Sequence, residues 1–399
     1  MPDVREVKPQ TASPEQDAAV HYYPQRSPGR PRPLTILFAV LALIGLLHFI
    51  AVTHSAYPTL PITNCLDLIR YNDYTKTIPF DPHAQQMSAV QFINEVTGGA
   101  PSALVQVTGV NAQHPLDIYV YGCTMQRGKP VLRLLFKQLG LVQGTVSVTR
   151  ANTLSIGALD TTLPPQASTV LQPLEQNVYR EYAWHNGMFI QREFPGLYPV
   201  TSRSEAEALQ DEANNGLSLP WSDPLLTAEQ LARDIFQWSG SDVQDTLQDN
   251  DGMTAHVLLA QKDPPLRVTV TLQRLIQPGS RGLWFVTAAQ TRGITLNQAV
   301  LQPFVTSPLT IHGSIDLAKG RATTTLFDHT LMPLQTLISP AFTVSAEGAY
   351  SETISYTNRV PDQPGLLLIE DLPTKPTIAH GKAQPPAPGQ LLLTNLILG

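Results

Sequence analysis

Charge is scarce in this chain: Asp, Glu, Lys and Arg make up 15% of its residues, against about 25% in a typical soluble protein. The 32 acids and 26 bases leave a net charge of −6, and the bases are spread along the sequence. No nucleic-acid partner is implied, because that would need a concentrated basic footprint. Cysteine is nearly absent, with Cys65 and Cys123 the only two, which excludes a multi-bridge scaffold and a four-cysteine zinc site. Local signatures of common chemistry are missing as well. There is no G-x-S-x-G elbow, no Walker A or G-x-G-x-x-G loop, and no H-x-x-x-H or H-E-x-x-H pair among ten histidines. No catalytic, cofactor or metal site is expected from these patterns.

Proline is the residue in excess. Its 35 copies are nearly twice the usual share of about 5%. Low charge with much Pro, Thr and Val predicts a mainly β chain with some α+β content, joined by irregular connections. The 399 residues suffice for two or three domains.

The longest apolar run is 34–53, LTILFAVLALIGLLHFIAVT, which holds no Asp, Glu, Lys or Arg. About 20 helical residues span the roughly 30 Å hydrocarbon core, and a soluble helix of that length would carry a polar face. Arg26, Arg30 and Arg32 precede the run, and the next basic residue is Arg70. The positive-inside rule then predicts a single-pass anchor with a cytoplasmic N-terminus and the bulk extracytoplasmic. A cleaved signal peptide competes with this reading, but its apolar core is usually about 7–15 residues after a short leader. Residues 1–33 are Pro-rich without apolar period and read as a disordered cytoplasmic tail.

Both cysteines follow the apolar run, so both fall in the oxidising compartment. One Cys65–Cys123 disulfide is the expectation, two buried free thiols the alternative. Closing that loop stabilises by roughly 4 kcal/mol on a chain-entropy argument.

Beyond the anchor the sequence divides into a β-rich domain (57–198), a small α+β module (200–295) and a C-terminal β-sandwich (296–399). In the first, SAVQFINEVTG (88–98) has apolar positions at helical spacing and stops at Gly98-Gly99. Strands are predicted at 103–110, 116–124, 131–136, 144–151 and 153–159, an antiparallel meander. VYREYAWHNGMFIQREF (178–194) is a hairpin around Asn186-Gly187. In the second, Ser202-x-x-Glu205 opens a helix by capping-box logic, and Thr227-x-x-Gln230 opens another. Strands follow at 254–261, 266–276 and 282–290. In the third, predicted strands recur at short intervals from PLTIHGSID to a terminal QLLLTNLIL, with the Pro-rich 372–389 as a long loop.

This last block carries Ser307-Pro308-Leu309-Thr310-Ile311 with Gly313-Ser314, then Leu326-Phe327-Asp328, Gly348-Ala349-Tyr350, and Pro364-Gly365-Leu366-Leu367-Leu368-Ile369. It resembles the immunoglobulin-like domain of bacterial spore-germination and sporulation-associated proteins. The departures are Ile315-Asp316-Leu317, where the family tends to an Ala and a Phe-Glu pair, and the Pro-rich insert. The resemblance covers about a quarter of the chain. It implies an immunoglobulin-like sandwich acting as an envelope-facing binding or assembly module, and it carries no catalytic residues.

Several side chains merit weighing. Asp245, Asp249 and Asp251 before Gly252 suggest a calcium loop, but the twelfth position from Asp245 is His256 and from Asp249 is Ala260, not Glu. His312 and His329 are candidates to face each other across strands, against the much commoner case of exposed strand or turn histidines. Glu181 and Glu193 flank the hairpin as paired carboxylates would in a glycosidase, although exposed strand-end carboxylates are commoner. Tyr182, Trp184 and Phe194 are candidates for one ligand-stacking face, against core packing. The expectation is a non-enzymatic, membrane-anchored envelope protein that presents binding modules to a protein or cell-wall partner, linked through the resemblance to sporulation or germination. The alternative is a cell-wall-active enzyme with a dispersed carboxylate site.

Overall fold

The computed structural model describes residues 62–111, 113–161, 176–240, 243–262, 265–297, 304–316, 321–338, 343–344, 348–358, 360–372, 378–379, 382–383 and 389–399. The expected tail (1–33) and membrane segment (34–53) lie outside the described residues. Among the described residues no helix is long and apolar enough to cross a membrane. The unit Ile62–Gly399 is mainly β, built from antiparallel sheets.

Two short helices come first. Asn64 caps α1 (Cys65–Tyr71), its side-chain oxygen accepting the Asp67 N–H at 2.8 Å, and Asp73 caps α2 (Tyr74–Thr77). Strands β1 (Gln85–Phe92), β2 (Ser102–Gly109), β3 (Leu116–Gln126) and β4 (Lys129–Leu141) form a meander. The helix expected at 88–98 is therefore β1 followed by turns. Val90 and Phe92 fit either period, and pairing Val90 with Val105 and Phe92 with Ala103 decides for the strand. Ile93 and Val96 still reach the core from the turn.

A second meander follows, of β5 (Thr145–Val148), β6 (Leu154–Ala158), β7 (Val178–His185) and β8 (Met188–Arg192). The hairpin turn forms as its sequence predicts: Asn186 and Gly187 take φ of 49° and 85°, the two left-handed positions a type I′ turn needs. The two sheets pack over Leu104, Ile118, Val120, Leu154, Ile156 and Tyr182. Because strand residues alternate faces, the other side of the first sheet presents Val105, Val107, Tyr119 and Tyr121, and these bury Ile69, Tyr74 and Ile78.

The α+β segment begins where Ser202 caps α3 (Arg203–Asn214); its hydroxyl accepts the Glu205 N–H and donates to the Glu205 carboxylate at 2.6 Å. The next helix opens at Pro224 rather than Thr227. Asp223 accepts the Leu225 N–H at 2.8 Å, and proline occupies the first turn of α4 (Pro224–Asp234), where its missing N–H costs nothing. Both helices pack on one face of β9 (Val243–Asn250), β10 (Thr254–Gln261), β11 (Leu266–Gln273) and β12 (Phe285–Gln290), where Leu209, Leu231 and, from the 220–222 turn between the helices, Trp221 share a core with Val257, Val270 and Phe285.

The remaining strands are β13 (Ile294–Leu296), β14 (Phe304–Val305), β15 (Leu309–Ile315), β16 (Arg321–Phe327), β17 (Pro333–Ile338), β18 (Thr343–Val344), β19 (Ala349–Ile354), β20 (Gln363–Leu372), β21 (Ile378–Ala379), β22 (Lys382–Ala383) and β23 (Gln390–Leu398). β13, β15, β19 and β18 form one sheet. β23 pairs on one side with β20 and on the other with β12. One sheet thus runs β17-β16-β20-β23-β12-β11-β10-β9, straight across the expected boundary at 295/296. β20 serves two cores at once. Leu367 and Ile369 face Ile311, Ile354 and Leu396 in the space between the two sheets, while Leu366 and Leu368 face the helix-covered core.

Candidate functional site

The expected disulfide is present. Cys65 at the start of α1 bonds Cys123 on β3, with Cα atoms 5.4 Å apart, within the usual span for such bridges. It fastens the first described helix to the middle of the β3–β4 pair, beside the Cys123–Leu132 register position.

The three candidate aromatics do not share a face, because β8 ends at Arg192 and the chain turns before Phe194. Tyr182 is buried and packs on Phe136 with ring centroids 4.8 Å apart. Trp184 is half-buried and meets Phe189 edge-on at 5.0 Å. Phe194 enters a different core, edge-on to Phe285 at 6.0 Å, with the Arg203 guanidinium 5.4 Å above its ring. Core packing accounts for Tyr182 and Phe194, while Trp184 stays half-buried against Phe189.

Glu181 and Glu193 do converge, on a crevice they share with Ser155, Arg180, Arg192 and Arg203. It lies where β7 and β8 meet α3, β20 and β23. Glu181 is buried, accepts from Arg203 Nε at 2.8 Å and from Thr153 Oγ1 at 2.7 Å, and keeps its other oxygen without a hydrogen-bond partner. Burial holds the Glu193 carboxyl above its ordinary value. Polar contacts surround this pair, beside apolar lining from Phe194, Leu396 and Ile397. Arg180 donates to the Pro361 carbonyl at 2.6 Å, Gln191 to that of Asp362 at 2.9 Å, and Arg150 pairs with Asp211 at 2.5 Å. Burial also raises Glu207, although the Arg150 N–H it accepts pulls the other way. Burial lifts Glu205 to about 7 despite its Ser202 hydrogen bond. The cavity is about 20 Å³, room for about one water. These groups can lock two layers together.

The remaining candidates separate. His312 is exposed on β15, whereas His329 is buried beyond β16 with its ring against Gln363, so they do not face each other. Burial lowers the His329 pKa. Asp251 closes the β9–β10 turn by accepting the N–H groups of Met253 and Thr254 at 2.8 and 2.6 Å, and Asp249 pairs with His256 at 2.8 Å. Among the described residues no three His, Cys, Asp or Glu side chains are grouped to hold a metal. Sequence reasoning passed over two acids inside the C-terminal layers. Glu352 accepts from Thr324 at 2.6 Å, Asp371 is 3% exposed, and each has one oxygen without a hydrogen-bond partner. Their only sequence signal is an acid at an inward strand position.

No family model, curated protein or solved structure matches this chain.

Proposed function

We propose that this chain is a non-enzymatic, membrane-anchored envelope protein that holds a β-rich body outside the cell as a binding or assembly module. The disulfide carries the reading. The two cysteines of the chain are joined, the bond belongs to an oxidising compartment, and both lie beyond the charge-free run 34–53. The two sheets facing each other over Ile311, Ile354, Leu367 and Ile369 support an immunoglobulin-like sandwich at the C-terminal end. That sandwich shares its second sheet with the α+β segment, so it is built into the body. A link to sporulation or germination rests on the resemblance.

A cell-wall-active enzyme is the second reading, favoured by Glu181 and Glu193 on one crevice. The Arg203 pairing of Glu181 and the small cavity weigh against it. Cysteine alkylation of protein taken from unbroken cells tests the first reading. Cys65 and Cys123 should resist alkylation until a reductant is added. Free thiols in freshly quenched cells would remove its basis, and turnover of a glycan or peptide substrate by the purified protein would establish the second.

A further inference from the structure

We propose that the β3–β4 hairpin is a membrane-contact element that seats the body on the anionic headgroups of the bilayer it is anchored in; the setting rests on the anchored reading above. No Asp or Glu occurs between Asp117 and Asp160, while Arg127, Lys129, Arg133, Lys137 and Arg150 all do. The fold gathers the first four onto one hairpin, Arg127 in its turn and the rest on β4. All four are exposed, and none pairs with an acid among the described residues. Arg150 is different, being paired with Asp211.

Between these cations the hairpin exposes Val131 (38%) and Leu134 (43%), and on either side of them Met125 (53%) and Leu139 (50%). β4 lies at a sheet edge. Cations alone blunt an edge against pairing with another strand, but that purpose gives no place to four exposed apolar side chains. Cations interleaved with apolar groups are the composition of an interfacial element. The charges meet anionic headgroups, and the apolar groups enter the boundary with the acyl chains.

The hairpin is also where the chain is tethered. Cys65 is bonded to Cys123, which pairs with Leu132 on β4. The 11 residues 54–64 separate that bridge from the end of the apolar run. At about 3.3–3.6 Å per residue they reach no further than about 40 Å. Ile62 and Leu66, next to Cys65 in sequence, are exposed as well.

The test uses the full chain in lipid nanodiscs of phosphatidylcholine alone and of phosphatidylcholine with phosphatidylglycerol. Hydrogen exchange is followed by mass spectrometry. Amides of 125–140 should exchange more slowly in the anionic discs, reversibly in high salt. The variant R127E/K129E/R133E/K137E should lose that protection, while β10 and β11 exchange as in the parent and report an intact fold. Each cation contributes about fivefold in membrane affinity, so single reversals should weaken the protection stepwise. Equal exchange in both lipids, or protection that survives the fourfold reversal, overturns the proposal. So does protection that appears only when a soluble acidic polymer is added. If the chain leaves the discs altogether, the anchoring has failed instead. Anionic vesicles added to the released protein then decide the hairpin separately, by the same protection or its absence.

Discussion

Replacing Arg203 by Met leaves a buried carboxylate without its cation, and its cost can be worked from the joint. The Arg203 side chain is 17% exposed and that of Glu181 9%, with 2.8 Å between Nε and Oε1. Glu181 then keeps only the Thr153 hydroxyl, because its second oxygen has no hydrogen-bond partner already. Breaking a buried pair from one side costs about 3–5 kcal/mol, mostly as the penalty of an uncompensated charge. The Arg203 stem also covers the Phe194 ring, and Met retains part of that packing. Arg203→Met should therefore lower the urea midpoint by an amount equivalent to about 3 kcal/mol, with the slope unchanged. Glu181→Gln should cost less, because the freed guanidinium is the more exposed partner. The double variant Arg203→Met/Glu181→Leu should recover most of the loss, because apolar replacement of a buried pair is often neutral. A single Arg203→Met within about 0.5 kcal/mol of the parent, the range of ordinary surface substitutions, would refute the structural role of the pair. Additive effects of Arg203→Met, Glu181→Leu alone and the double variant would show that the two groups are not coupled.

Reducing the disulfide, or replacing Cys123 by Ala, opens a loop of 58 residues and should cost about 4 kcal/mol, read as a fall in urea midpoint that vanishes when parent and variant are compared in reductant. Stability should also rise in mild acid. Burial lifts Glu205 and Glu370 to about 7 and Asp371 to about 6. Each carboxyl binds its proton more tightly folded than unfolded. That contribution is complete below the unfolded value near 4 and is lost as pH rises through 6 to 7. Urea midpoints should increase from about pH 8 to about pH 5, by on the order of 1–2 kcal/mol per group; a flat profile contradicts the burial. Finally, deleting 390–399 removes the strand between β20 and β12, so both 200–295 expressed alone and the chain truncated at 389 should be insoluble or show no cooperative melt.

Local patterns were legible where a residue's neighbours in sequence are also its neighbours in space. The Asn186-Gly187 turn, the Ser202–Glu205 cap and the alternation in LRVTVTLQ each act over a few residues, and each appears as read. β9 was not legible because VQDTLQDN is polar on both faces; only its pairing with β10 makes it a strand, and it stays largely exposed. The module boundary at 295/296 failed for a different reason. QLLLTNLIL reads as a strand in any setting, but its apolar residues do not say which sheet receives them, and β12 lies far back in the sequence. The crevice shows the same limit. Glu181 and Glu193 were visible as a pair, whereas Arg203, Pro361 and Asp362, which turn them into a joint, arrive from distant segments. The disulfide was readable because a chain with two cysteines offers one pairing.

The central claim is topological, and protease treatment of intact cells tests it most directly, with one tag at each end of the chain. The C-terminal tag should be removed by external protease while the N-terminal tag survives in the membrane fraction. A C-terminal tag that is protected in intact cells and cleaved only after lysis would contradict the account, and with it the display of the body outside the membrane.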